Sequence, residues 1–327
     1  SGNAAEDRME AAALAEFFDE PGPAARSRRL PVASVKADIG HTGAASGLAS
    51  LVRGCLALYQ EIIPGARSGE RPVSQLSGNG ALFLPSGSRY WLRNRSEGAR
   101  HAGVSVFGVD GSVSHVVLQG YDHVPERASV ERVAPLAGLD EFLFSVAGAD
   151  RQELAEGIGQ LRETAEKRPA PDMAVLSRRV CKESSASGAP LAVSLVARSA
   201  DELASLCQQG ERFLRSDAAY AEAVLHPSQR DRLFFNANPI GKTGKIGFVY
   251  PGSGNHFAGM GMELSARWPE VYRRQDSENL YLREQFQPEQ FWNGAPIDCV
   301  HENHLAVIFG QVATGCAVTD VVQRFGI

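Results

Sequence analysis

The sequence reads as an α/β protein in three regions, 1–126, 127–243 and 244–327. Three observations support this. Apolar residues recur at Leu48, Leu51, Val52, Cys55, Leu56, Tyr59 and Ile62, the period near 3.6 that marks a helix with one buried face. After Pro125, strand-like and helix-like runs alternate, the texture of an α/β unit. A Gly/Lys-rich break, "NPIGKTGK" (Asn238–Lys245), then sets off a third region.

Taken in order, Ala4–Phe18 is Ala/Glu-rich at helical spacing and stops at "DEPGP". Leu30–Lys36 ("LPVASVK") reads as a strand, and Thr42–Ile63 as a helix ended by Pro64-Gly65. Ala66–Arg100 is rich in Gly, Ser and Arg and reads as loop. "AGVSVFG" and "SVSHVVLQ" form a hairpin turning at Val109-Asp110-Gly111. The middle region runs strand "EFLFSVAG", helix "DRQELAEGIGQLRETAEK", helix "DMAVLSRRV", polar seam "CKESSASG", strand "APLAVSLVA" and helix "SADELASLCQQGERFL". The last region opens on a buried strand, "IGFVY". A glycine-rich turn, a helix towards Tyr272 and a terminal apolar helix, "HLAVIFGQVATGCAVTDVVQRF", follow. No internal repeat is present.

Composition excludes several classes. The chain has 327 residues, 43% of them hydrophobic, enough to fill real cores. Its net charge is −5 with no Lys/Arg block, which argues against nucleic acid or an anionic membrane as partner. No segment approaches the ~18 uninterrupted apolar residues of a membrane span, and the N-terminus lacks a signal-peptide core. The expected location is cytoplasmic. Five scattered cysteines without a CxxC pair indicate neither a disulfide framework nor zinc. They are expected to be mostly buried, Cys55 among apolar neighbours that hold it inert.

The chemistry concentrates in "SVKADIGHTGAASGLASL" (Ser34–Leu51). Lys36 and His41 lead into a helix that opens on small residues, which permit close backbone approach. The positive end of a helix disfavours imidazolium, so His41 is expected to stay neutral and donate one N–H to a developing oxyanion. The plainer alternative is a histidine that caps the helix or sits satisfied in a core.

This stretch resembles the third catalytic motif of β-ketoacyl synthase domains, close to S-V-K-S-N-I-G-H-T-E-A-A-A-G in polyketide and fatty-acid synthases. "HAGVSVFGVDGSVSHVVLQ" is similar to the synthase block A-G-V-S-S-F-G-F-G-G-T-N-A-H-V-V-L-E, and "AAEDRMEAAALAEFF" resembles the helix after the H-G-T-G-T motif. The resemblance implies a thiolase-like ketosynthase piece. His41 would polarise the thioester carbonyl of a malonyl extender during decarboxylative Claisen condensation, and Lys36 would orient the catalytic groups. Phe107 and Val109 would stand at the acyl-pocket gate. Asp38 replaces the usual Asn, Gly43 the usual Glu, Val109 the second Phe and Asp110 a Gly. The motif is closest in style to the polyunsaturated-fatty-acid-synthase branch.

"KIGFVYPGSGNHFAGMG" invites a dinucleotide reading, but after Gly252 and Gly254 the next glycine is Gly259, five residues on rather than three. It resembles instead the opening of a malonyl/acyl transferase domain, F-V-F-P-G-Q-G-x-Q-x-x-G-M-G. Ser253 and His256 would then stand at the positions of its two glutamines, Ser253 offering a backbone N–H to an oxyanion hole, with a plain turn as the alternative. "LREQFQPEQFW" is similar to transferases of the polyunsaturated type. The region between matches the linker domain between ketosynthase and acyltransferase.

Neither a D-T-A-C-S-S nor a G-x-S-x-G motif occurs, and both reactions need a covalent nucleophile. The resemblance therefore implies part of a larger type I synthase, inactive alone, with no bound cofactor. The parent would use malonyl-CoA and phosphopantetheine on acyl-carrier protein. Its partners would be that carrier and the remainder of the megasynthase, and the family leaves room for a homodimer. Two alternatives stay open: a non-catalytic scaffold that binds carrier protein or another partner, and a nucleotide-binding oxidoreductase. No metal site is expected, since His301 and His304 of "HENH" lack a third ligand. His115 is expected to be structural.

Overall fold

The Ala/Glu-rich run folds into helix α1 (Ala4–Phe18) as its spacing indicates. The computed structural model describes residues 3–18, 29–66, 73–77, 80–108, 110–122, 141–216, 231–239, 244–252, 254–292 and 304–326. They form two compact units, residues 1–136 with 248–327, and residues 137–247.

Only Leu30–Pro31 of the expected first strand is extended, as β1. Ser34 turns the chain: its Oγ accepts the Lys36 N–H at 3.3 Å and its carbonyl the Ala37 N–H at 3.2 Å. Lys36 therefore opens a one-turn helix, α2 (Lys36–Ile39), instead of closing a strand. The long helix α3 spans Ala45–Gln60, shorter at both ends than expected. It stops because Glu61 takes a left-handed conformation, φ 54°, and the β-branched Ile62–Ile63 pair as β2. The segment read as loop holds α4 (Ser74–Ser77), β3 (Leu82–Phe83) and β4 (Arg89–Tyr90). β1 pairs parallel with β3, and β2 antiparallel with β4. Two-residue strands leave no periodicity to read, yet Leu82, Phe83, Tyr90 and Leu92 are all buried. The hairpin forms as expected from β5 (His101–Phe107) and β6 (Val113–Gln119). His115 faces Ser105 across it, Nδ1 to Oγ 2.9 Å.

Glycines seat α3 on this hairpin. A Cβ at Gly47 would lie 3.1 Å from Val106, and one at Gly54 3.1 Å from Leu118 and 3.3 Å from Val104. The N-terminal end of α3 thus lies at the turn end of the hairpin. Cys55 departs from expectation. It is exposed on α3 because the inward face is taken by the small residues against the hairpin; Cys316 is exposed too.

In residues 137–247, β7 (Phe142–Gly148), α5 (Arg151–Ala165), α6 (Met173–Ser187), β8 (Leu191–Ala197) and α7 (Ala200–Arg215) fall where the alternation places them, and β9 (Leu233–Phe235) is a further strand that the sequence pattern does not mark. Asp150, Asp172 and Ser199 cap the helices, each side chain accepting the N–H of the third residue on. The antiparallel sheet runs β7-β8-β9. Phe144, Val193, Leu195 and Leu233 from the strands meet Leu154, Ile158, Leu203 and Cys207 from α5 and α7 in one core. The polar seam is helical: α6 continues to Ser187 and ends at Gly188, φ 64°. Its serines satisfy themselves, Ser185 Oγ donating to the Cys181 carbonyl at 2.8 Å and Ser177 Oγ to that of Leu143 at 2.6 Å.

Residues 246–250 form no strand. They carry no ladder among the described residues, and Val249 is 95% exposed. An apolar run becomes a buried strand only where neighbouring strands accept it. The helix towards Tyr272 is two, α8 (Met262–Arg267) and α9 (Pro269–Glu278), because Pro269 cannot continue a ladder and starts a new helix instead. The helices α10 (Leu282–Phe286), α11 (Pro288–Phe291) and α12 (His304–Gln323) complete the chain. By length and composition α12 could cross a membrane. Its Asp320 is nevertheless engaged, accepting from Gln275 at 2.8 Å, and Ala306, Val307, Ala317 and Val321 are buried.

A clasp joins the two parts of the first unit. Arg100, 5% exposed, donates to the Trp91 carbonyl (2.7 Å), Glu61 (3.0 Å), the Tyr90 hydroxyl (3.0 Å) and Asp276 (3.2 Å). Arg273 donates to Glu61 at 3.0 Å and to the Gln60 carbonyl at 2.8 Å, capping the C-terminus of α3. The Asn94 amide reaches Glu284 at 3.2 Å. Asn94 is therefore buried, out of reach of any modification its N-R-S sequence suggests.

Candidate functional site

His41 sits in the turn between α2 and α3. Gly40 (φ 77°) caps α2, donating to the Lys36 carbonyl at 2.9 Å, and Gly43 (φ 59°) precedes α3. Both conformations favour glycine, so Gly43 fits its backbone where the resembling motif has Glu. The Gly43 N–H donates to His41 Nδ1 at 3.1 Å. A nitrogen that accepts carries no proton, so in this geometry the ring proton is on Nε2. The ring is exposed. The arrangement offers one N–H from a neutral imidazole.

Lys36 opens α2, half-buried, five residues before His41. Its charge acts on Glu10 of α1. Burial pushes that carboxyl above its usual range, and Lys36 pulls the other way. Asp38, between Lys36 and His41, receives a hydrogen bond and ion pair from Arg53 Nη1, and Arg53 Nη2 donates to the Gly65 carbonyl at 3.2 Å. Neither Arg53 nor this pairing is legible in the sequence, because fifteen residues separate the partners with no periodic signal.

Phe107 closes β5 and is 48% exposed. Since Gly47 packs on Val106, Phe107 and the turn that carries His41 share one end of the α3–hairpin layer. Val109 lies outside the described residues. The turn beside it is tight: a Cβ on Gly108 would fall 2.3 Å from Ser112 Oγ and 2.4 Å from Asp110 Oδ1. Hydrogen bonds from the Ser112 hydroxyl (2.7 Å) and N–H (3.1 Å) hold the Asp110 carboxyl below its usual range.

His256 is half-buried beside Phe291, ring centroids 6.4 Å apart, and its Nδ1 is buried without a hydrogen-bond partner. Ser253 lies outside the described residues, as does His301. In the same turn the Gly252 carbonyl accepts from Asn255 (3.1 Å) and Gln311 (3.4 Å). The structure thus ties Asp38 of α2 to Arg53 of α3 on either side of the turn that carries His41, and sets His256 beside Phe291 in a different group of elements.

Residues 1–70 match the family model described as β-ketoacyl synthase, C-terminal domain. Among curated relatives, polyketide synthase GfsB of Streptomyces halstedii is 28% identical over 80% of this chain and 4% of its own length. The pikromycin polyketide synthase component PikAIII of Streptomyces venezuelae is 28% identical over 81% of the chain and 15% of its own length. A component of the polyunsaturated fatty acid synthase of a Thraustochytrium species is also 28% identical, over 81% of the chain and 10% of its own length. The chain therefore spans a small share of the relatives it matches. A solved ketosynthase from module 6 of the bacillaene synthase of Bacillus subtilis aligns with 64% of this chain and 36% of its own. Its identity is 19% and its TM-score 0.31, too low to argue a shared overall arrangement. Residues 1–70, which carry both Lys36 and His41, match the β-ketoacyl synthase C-terminal domain family, in a chain whose relatives are type I polyketide synthases and a polyunsaturated fatty acid synthase.

Proposed function

We propose that this chain is the ketosynthase–acyltransferase region of a type I synthase. Residues 1–126 would be ketosynthase, 127–243 the linker domain and 244–327 the beginning of the acyltransferase. The observation that supports this best is the His41 turn, an exposed imidazole whose Nδ1 is occupied by the Gly43 N–H, inside the stretch that matches the synthase family. Its Nε2–H is the donor that a malonyl thioester needs. As the carboxylate leaves as CO2, the C–C bonding pair becomes the enolate and negative charge gathers on the thioester oxygen. A donor aimed at that oxygen lowers the barrier. The enolate carbon then attacks the acyl thioester held on a cysteine supplied elsewhere in the synthase, and the cysteine thiolate leaves. Lys36 orients these groups through its charge.

The malonyl unit would arrive on the phosphopantetheine of an acyl-carrier protein, in the cytoplasm. Ser253 and His256 would serve the transfer of malonyl from its coenzyme A ester, and Phe107 with Val109 the acyl gate. In the synthase that carries this region, His41→Ala is expected to slow release of CO2 from malonyl carrier protein by roughly 10²-fold or more, the loss that removal of an oxyanion donor brings. Acyl loading should be kept. Unchanged CO2 release would refute the reading. The chain alone, incubated with malonyl-CoA, is expected to keep its intact mass, and a stable malonyl adduct would show that it holds its own nucleophile.

A further inference from the structure

We infer that Arg53 and Asp38 are a positioning pair for His41, a role that rests on the condensation reading above. The turn that carries His41 has little else to hold it. It is bounded by two glycines in left-handed backbone, Gly40 and Gly43, and a Cβ on either would meet nothing within 4 Å. The imidazole is exposed. On one side stands α2, a single turn that carries no stability of its own. On the other stands α3, seated on the hairpin by Gly47 and Gly54. A one-turn helix hinged at two glycines would swing.

Arg53, two turns into α3, reaches back across that hinge. Nη1 pairs with the Asp38 carboxylate in α2, and Nη2 donates to the Gly65 carbonyl at 3.2 Å. Gly65 is itself fixed, its N–H donating to Ser88 Oγ at 3.1 Å and its Cα face lying against Gly87. The guanidinium therefore has a fixed anchor on one fork and α2 on the other. The Arg53 and Asp38 side chains are 19% and 32% exposed, so the pair is screened less than an open surface pair. Its two ends enclose the whole turn, including the Gly43 N–H that sets the His41 tautomer. The planar fork makes both contacts at once, which an ammonium group cannot reproduce.

The test is amide exchange by NMR on the intact chain, read at Gly43 and residues 36–44, with melting temperature followed in parallel. Arg53→Met is expected to speed exchange there roughly three- to tenfold, the scale of a lost partly buried ion pair. Exchange in β5 and β6 and the melting temperature should hold. Arg53→Lys keeps the charge and is expected to recover part of the protection, and Asp38→Asn keeps an acceptor and should do the same. Unchanged exchange at Gly43 in Arg53→Met overturns the pair. So does faster exchange spread evenly through β5 and β6, which marks general loosening of the fold. In the parent synthase, Arg53→Met is expected to slow CO2 release from malonyl carrier protein by the same factor. A loosened turn together with full CO2 release in both Arg53→Met and His41→Ala removes the condensation reading and leaves the geometric pair standing.

Discussion

Single side chains here are set by what surrounds them, and cysteines show it most directly. Cys207 is fully buried in the core of residues 137–247, and burial pushes its thiol up to about 12. Cys55 and Cys316 are exposed. Maleimide at neutral pH is expected to label Cys55 and Cys316 in the folded chain, and Cys207 only on unfolding, read by peptide mass. The raised pKa carries a sign for stability. The folded state holds the thiol proton more tightly than the unfolded chain does. The stabilisation is therefore complete below the unfolded thiol's ordinary pKa and is lost as pH rises towards about 12. Melting of this unit should fall between about pH 9 and 12, and Cys207→Ala should flatten that slope. His41 illustrates legibility at this scale. Its residue type and its small neighbours are readable from sequence, and the resemblance of its motif is what points to the proposed chemistry. The Gly43 N–H that fixes its tautomer is not readable, because that bond depends on a backbone φ of 59°.

Elements are legible where local signals agree. The caps Asp150, Asp172 and Ser199, the spacing of Leu203, Leu206, Cys207 and Phe213, and period-2 strands all point one way in residues 141–216. Leu203 has no exposed surface, so Leu203→Ala is expected to cost about 2–5 kcal/mol in denaturant melting of that unit. Legibility fails where structure comes from distant partners. Residues 82–100 have no period, and what buries Tyr90, Arg89 and Asn94 is residues 260–292. Conversely "IGFVY" has the composition of a strand and no strand beside it among the described residues. The clasp makes a prediction at this scale. Arg100→Met takes one partner from buried Asp276, which keeps Arg93, and one from half-buried Glu61, which keeps Arg273, and should cost about 1–3 kcal/mol, the scale of lost hydrogen bonds to charged groups.

At the scale of the molecule, residues 137–247 interrupt a unit built from the chain on either side of them. Each unit has its own core, so calorimetry of the intact chain is expected to show two transitions. Leu203→Ala should lower one and Arg100→Met the other, and a single transition lowered by both would contradict the division. The α/β class is readable because strand–helix alternation survives in residues 141–216. The joining of residues 29–122 to 248–292 is not, because it rests on Arg100, Arg273 and Asp276, whose partners lie up to 213 residues away. The proposed condensation needs His41 to present an Nε2–H from a neutral ring to a developing oxyanion. The most direct measurement is ¹⁵N NMR of the His41 ring in the intact chain. An unprotonated Nδ1 and a protonated Nε2 are expected. A proton on Nδ1 of the neutral ring would contradict this, since that nitrogen would no longer accept from Gly43 and Nε2 would have no hydrogen to give.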